Sequence, residues 1–241
     1  MARNRFIIPF AILGLSLILS TFIFSSTWRK IKSENQIITV TGSAKQVIVS
    51  DLGVLRGTLM VEAATASEAY RELQTQKPVL QAYLKSKGFT AEKINYQTIS
   101  TFPNYIFNNQ GQNTGIRSFS ASQMIDVTSS DVNLIKLMSI EISSLVERGV
   151  SFQVNPPEYY YTKIGDIKIE IQAEAAKDAM VRGQRIAKAT GRELGTLKSA
   201  RMGVLQITPE NSNLISDYGV NDVSSIRKEI IAVVNANFEI D

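Results

Sequence analysis

Asp166, Glu170, Glu174, Asp178 and Arg182 follow one another at steps of four, which puts four carboxylates and a guanidinium on one stripe of a helix. Carboxylates so placed could hold a hard cation or work as an acid–base pair. A solvated helix shows the same stripe when acids gather at its positive N-terminal end and bases, here Arg185 and Lys188, at its negative end. The solvated face is the reading adopted. Tyr159-Tyr160-Tyr161 follows Pro156-Pro157 and could offer an aromatic platform for a sugar or nucleobase. Neighbours on a strand face opposite sides, so one side is expected in the core and the other at a subunit contact, where tyrosine is enriched. Ser118, Ser120 and Ser122 share one strand face. With no histidine in the chain and no Ser-x-x-Lys beside them, they have no base and read as an exposed polar face. Gly42, Gly53 and Gly57 form no phosphate loop, since no Gly-Lys-Ser/Thr or GxGxxG leads from a strand into a helix.

The absence of cysteine as well as histidine removes thiol nucleophiles, disulfides, zinc sites of the Cys/His type and every imidazole triad. No catalytic, cofactor-binding or metal-binding residue is assigned, and no cofactor is expected. The 241 residues, 44% hydrophobic and 20% charged, suit a globular protein with a sizeable core. The net charge of +4 is local. Arg3, Arg5, Arg29, Lys30 and Lys32 against Glu34 account for all of it, and the rest carries 21 basic and 21 acidic residues. A nucleic-acid partner is therefore not expected of the main body.

The charged clusters bracket Phe6–Phe24, nineteen residues without a charge. As a helix these would span about 28 Å, close to the bilayer core, with Trp28, Arg29 and Lys30 as an interfacial stop. The segment is longer than the apolar core of a cleaved leader, and Ser25-Ser26-Thr27 is a poor cleavage site. An uncleaved anchor in the lipid bilayer is expected over 6–24, after a short cytoplasmic tail (1–5) and before a polar tether (25–35) and a body (36–241). Basic residues on the two sides balance, so charge alone leaves orientation open.

In the body, β-branched Gln36–Val49 reads as two short strands broken at Gly42, or one bent strand. Leu52–Val61 alternates as a half-buried strand. Thr65 and Glu68 form a capping box. The helix it opens runs towards Lys87 with Ala69, Leu73, Leu80 and Leu84 inward, is kinked or divided at Pro78 and ends at Gly88. Ile94–Thr101 and Phe119–Val127 are hairpin arms around a polar tip at Asn108–Asn113. Asp131–Glu147 is a second helix, with Val132, Ile135, Leu137/Met138, Ile142 and Val146 near one face. Val150–Val154 is a strand, Asp166–Thr190 the longest helix, and Leu197–Ile207 and Ile230–Ile240 are strands flanking a loop from Pro209 to Ser225. The order predicts an α+β fold of antiparallel sheets packed with about three helices, with loops 104–117 and 209–225 the most mobile parts.

Ile38-Thr-Val-Thr-Gly-Ser43 opening a strand, Asp51 starting the next, the Ala66–Ala69 helix start, Pro103-Asn-Tyr105 and the Ala-rich helix Ala173–Ala189 ending in Gly191-Arg-Glu-Leu-Gly195 resemble the SIMPL-domain family of bacterial envelope proteins. The resemblance implies an α+β domain outside the cytoplasmic membrane, self-association and links to stress tolerance, and it brings no catalytic residues. Three functions follow as expectations. The first is a non-catalytic, single-pass inner-membrane protein, its C-terminal domain periplasmic or outside the cell, that forms a homo-oligomer or binds envelope proteins. The second is a carboxylate/lysine hydrolase of an envelope polymer, which needs two acids about 5–10 Å apart across a cleft. The third is a small-ligand-binding domain, which needs an apolar pocket.

Overall fold

The computed structural model describes residues 7–33 and 36–240. The expected tail (1–5), Phe6, and residues 34–35 of the expected tether lie outside them. Helix α1, Ile7–Ser33, carries the apolar segment and does not stop where a tether was expected. Residues 25–33 contain no proline or glycine, and the Ser26 hydroxyl turns back onto Ile23 O at 2.9 Å, so the backbone stays helical. Among the described residues no helix is long and apolar enough to cross a membrane.

The chain forms two compact units. One comprises Met1–Lys45, Ile167–Leu205 and Ile231–Asp241, the other Gln46–Asp166 and Gln206–Ile230. Neither is continuous in sequence.

The second unit is built on a six-stranded sheet. Its long strands are β2 (Leu52–Ala63) and β5 (Asn113–Ser129), antiparallel from Gly53↔Ser129 to Ala63↔Phe119. Outside β5 lie β3 (Ile94–Tyr96) and β4 (Ser100–Phe107). Outside β2 lie β6 (Phe152–Val154) and β7 (Glu158–Tyr160). One face is apolar because alternate residues of the long strands share it: Leu55, Leu59 and Val61 from β2, Ala121, Ile125 and Val127 from β5. Helix α2 (Ala66–Ser86) covers that face with Ala69, Leu73, Leu80, Tyr83 and Leu84. It begins at the expected capping box, with Glu68 N–H on Thr65 Oγ1 at 3.2 Å and Thr65 N–H on Glu68 Oε2 at 3.1 Å. Pro78 does not divide it. Proline removes one donor, and the carbonyl that loses it belongs to Gln74, an exposed residue that water can serve. Helix α3 (Val132–Glu141), capped by Asp131, packs Val132, Ile135 and Met138 on the same core. The chain then tightens into a 3-10 turn, Ile142–Arg148. At three residues per turn Leu145, not Val146, follows Ile142 inward, so Leu145 is fully buried and Val146 is 66% exposed.

The first unit pairs β1 (Ile37–Val49), β10 (Arg227–Ile240) and β8 (Leu194–Met202), with β10 in the middle. β10 begins in the second unit, at residues 227–230, where β9 (Gln206–Pro209) also lies. Helix α4 (Ile164–Ala189) buries Ile171, Ala175, Ala179, Gly183 and Ala187 at four-residue spacing. Gly42 does not break β1. A Cβ there would stand 2.7 Å from Ala179 Cα, so glycine is present because strand and helix touch backbone to backbone.

Candidate functional site

The features with chemical potential lie in the second unit, on the outer face of its sheet and along the β2–α2 edge. On the outer face Arg56 is bonded to Glu158, which also accepts the Tyr160 hydroxyl, and Arg56 Nε lies 3.7 Å from Asp126 Oδ1. Gln97 donates to Asp126 Oδ2 at 3.2 Å. The Tyr160 and Arg56 hydrogen bonds hold the Glu158 carboxyl below its usual range. Glu158 in turn pushes Arg56 and Tyr160 up. All three stay in the states that bond one another, which makes this cluster a latch between β2, β5 and β7, without a group free to move a proton.

At the far end of β2, Glu62 accepts the Ser118 hydroxyl and lies 3.2 Å from Arg117 Nη2. The Ser118 bond, with Arg117, lowers its pKa, as befits an acceptor and not a general acid. Glu62, Glu68 and Glu72 line one open cleft of about 610 Å3 together with Gln76, Ser120 and Gln153. Each carboxylate has an internal partner: Glu68 is in the capping box, and Glu72 accepts Gln76 Nε2 at 3.1 Å. Among the described residues, no group of three or more acids, histidines or cysteines could hold a metal ion.

Beyond the Ala63↔Phe119 pair β5 has lost β2, while β4 stays paired with it as far as Phe107↔Asn113. The result is a two-stranded ribbon closed by a turn in which Asn108 Oδ1 accepts from Gln110 and Gln112 N–H. Tyr105, Ile106, Phe107 and Ile116 on it are 48, 46, 62 and 50% exposed. The expected 104–117 loop is therefore strand over most of its length, and it carries four exposed apolar side chains around a polar tip.

The α4 stripe is surface, as expected, and Asp178 there accepts Ser43 N–H at 2.9 Å and pairs with Arg182 at 2.7 Å. Other residues singled out from the sequence lie elsewhere than expected. The serine face is not exposed: Ser118 and Ser120 are buried, because Asn104 Nδ2 of the neighbouring strand donates to both, at 2.9 and 2.8 Å. Tyr159 is 4% exposed, so one side of the tyrosine run does enter the core, as expected. Tyr160 belongs to the Arg56 latch. Sequence reasoning missed Lys228, which is 2% exposed. Its Nζ donates to Tyr159 O at 2.6 Å and to Asp222 O, clamping the 209–225 loop to β7. Alternation could not find it, since Glu229 beside it is buried as well.

Sheet and helices together define an α+β domain whose exposed features are a latch, a cleft and an apolar ribbon. A family model described as SIMPL, a protein of unknown function (DUF541), matches residues 38–238. The chain belongs to the SIMPL family. No curated protein matches it. Among solved structures it is similar to a Burkholderia cenocepacia protein provisionally described as an amidohydrolase/peptidase, at 14% identity and a TM-score of 0.22 over 60% of this chain and 36% of that one. It is also similar to an uncharacterized conserved protein from Listeria innocua, at 9% identity and a TM-score of 0.19 over 82% and 92%. At these scores neither likeness bears on function.

Proposed function

We propose that this protein is a membrane-anchored module of the bacterial envelope that works by associating with copies of itself, α1 holding it to the bilayer and the β4–β5 ribbon making the contact. The ribbon carries the proposal. Four large apolar side chains stand on a projection that no third strand supports, and between Phe102 and Arg117 the only charge is Arg117. An exposed apolar patch of this kind is the mark of a contact surface, and a nearly neutral one meets its own copy without repulsion. Anchoring supports this, since tethered copies have a raised effective concentration. Support for the anchor comes from the uncharged Phe6–Phe24 sequence and from α1 side chains such as Leu15, Ile18 and Phe22, which are 70–75% exposed and need an apolar surrounding. The bilayer is thus the first partner proposed, further envelope proteins the second, and stress tolerance the setting that family resemblance suggests.

The chain has no cysteine, so the test is direct. A full-length chain carrying Ile106→Cys, in native membranes, should form a disulfide dimer on mild oxidation, whereas Glu174→Cys on the exposed face of α4 should not. Equal yields would mean random collision and end the proposal. Carbonate-washed membranes should retain the protein at its full mass, and a soluble form beginning near Trp28 would remove the anchor.

The acidic cleft favours a second reading, a hydrolase acting on an envelope polymer with Glu62 and Glu72 as its carboxylates. It requires that purified chain release soluble fragments from isolated envelope polymer and that Glu72→Gln abolish the release.

A further inference from the structure

At the C-terminal end of α2 the second unit has another concavity, of about 630 Å3, lined by Gln81, Lys85, Phe89, Ala91, Ile94 and Tyr96 among others. The size lies within the roughly 300–1,000 Å3 of small-molecule sites. Phe89 is 3% exposed and belongs to the core, so one wall is a rigid apolar surface. Ile94 and Tyr96 pack against the same core from β3. The polar groups are few and point to one ligand charge. Lys85 lines the cavity and makes no ion pair with a described residue. Lys77 Nζ stands 4.6 Å from the centre of the Tyr96 ring, without itself lining the cavity. The Tyr96 hydroxyl is shielded from solvent and makes no well-formed hydrogen bond. A shielded hydroxyl without a well-placed partner is costly; burial raises the pKa of this phenol, and a hydrogen-bonding interaction with Gln81 opposes that rise. A ligand oxygen entering beside Gln81 would supply the acceptor.

We infer that this cavity binds a single-chain anionic amphiphile, a free fatty acid, with its carboxylate between Lys85 and the Tyr96 hydroxyl and its tail against Phe89 and Ile94. Charge complementarity selects an anionic head, and the apolar wall selects a tail. The inference does not depend on self-association. No carboxylate is among the cavity's lining residues, so nothing in the wall opposes the head group.

The experiment is photo-crosslinking of full-length chain in membranes with a diazirine-bearing decanoic acid, followed by peptide mapping. Label should concentrate within residues 81–96 and fall about tenfold in Lys85→Glu, while Lys85→Arg keeps it. Losing one charge-assisted contact corresponds to a factor of about ten or more. Lys85 is exposed, so neither variant threatens the fold. Excess decanoic acid should protect and excess decylamine should not. Protection by the amine would overturn the anionic assignment. Label confined to α1, or equal labelling by a diazirine phosphatidylcholine placed in the same membranes, would overturn the site or its free-acid occupant.

Discussion

Replacing Gly42 by alanine sets two lines of reasoning against each other. Local arguments favour alanine: it gains about 0.5–1 kcal/mol over glycine inside a strand and restricts the unfolded chain. The structure says otherwise. The new Cβ would stand 2.7 Å from Ala179 Cα and closer still to Ala175 O and Ala179 N. All are helix backbone, so no side chain can swing away. Ordinary contact begins near 3.4 Å, hence α4 must retreat from β1 by about an ångström. A gap of that size forfeits about a quarter to a half of each dispersion contact it opens, along a face that includes Ile171, Ala175 and Ala179. Overpacking against yielding side chains costs about 1–3 kcal/mol. Against rigid backbone the upper end applies, about 3 kcal/mol, which is roughly a hundredfold in the opening equilibrium. Amide hydrogen exchange of the full chain, read by mass spectrometry, should show peptides of β1 and α4 exchanging about a hundred times faster in Gly42→Ala. The control is Gly183→Ala, whose Cβ would meet the flexible end of Leu194 at 3.1 Å and the Phe238 ring at an ordinary 3.6 Å and should change exchange less than tenfold. Unchanged or slower exchange in Gly42→Ala would refute the backbone-contact account.

Three further outcomes are expected. Tyr159→Ser should cost about 3–5 kcal/mol in urea unfolding, as large-to-small changes of buried aromatics do, while Tyr161→Ser, half-buried, should cost well under half of that. Acid should weaken the second unit in part through Glu158: its folded pKa lies below the usual 4.5, so its contribution is complete above that value and is lost as pH falls through the lower folded one. Glu158→Gln should therefore flatten stability against pH in that window. Limited proteolysis should cut first within residues 212–218, where Ile215 and Tyr218 are 81 and 97% exposed, and later near Asp222, whose carbonyl is held by Lys228.

The features legible in the sequence were those that one local interaction decides. The Thr65–Glu68 box, the inward Leu55, Leu59 and Val61, the Asp131 start and the Gly191 stop, with its φ of +73°, all follow from neighbours in the chain. Where the deciding partner is distant, pattern failed. Gly42 signals a break to its own strand and a contact to a helix more than a hundred residues away. Ser118 and Ser120 look solvated until Asn104 is laid beside them. The ribbon reads as a loop because its tip is Asn- and Gln-rich, although cross-strand pairing with β4 makes it regular. The candidate site was the least legible part, since the cleft and the cavity take their walls from segments whose meeting no periodicity announces.

The strand at the centre of the three-stranded pairing is the last one in the chain. Thr39 on β1 meets Asn237 on β10, at 2.7 Å, across 198 positions, and β8 lies on the other side of β10. At the roughly 5–20 residues per second of synthesis, β1 waits about 10–40 s beside α1 before its partner exists. During that interval it offers an unpaired edge to any neighbour that has already made its own β10. An unpaired edge of this kind is where exchange with another chain would begin, so the pace of synthesis becomes a variable of folding itself.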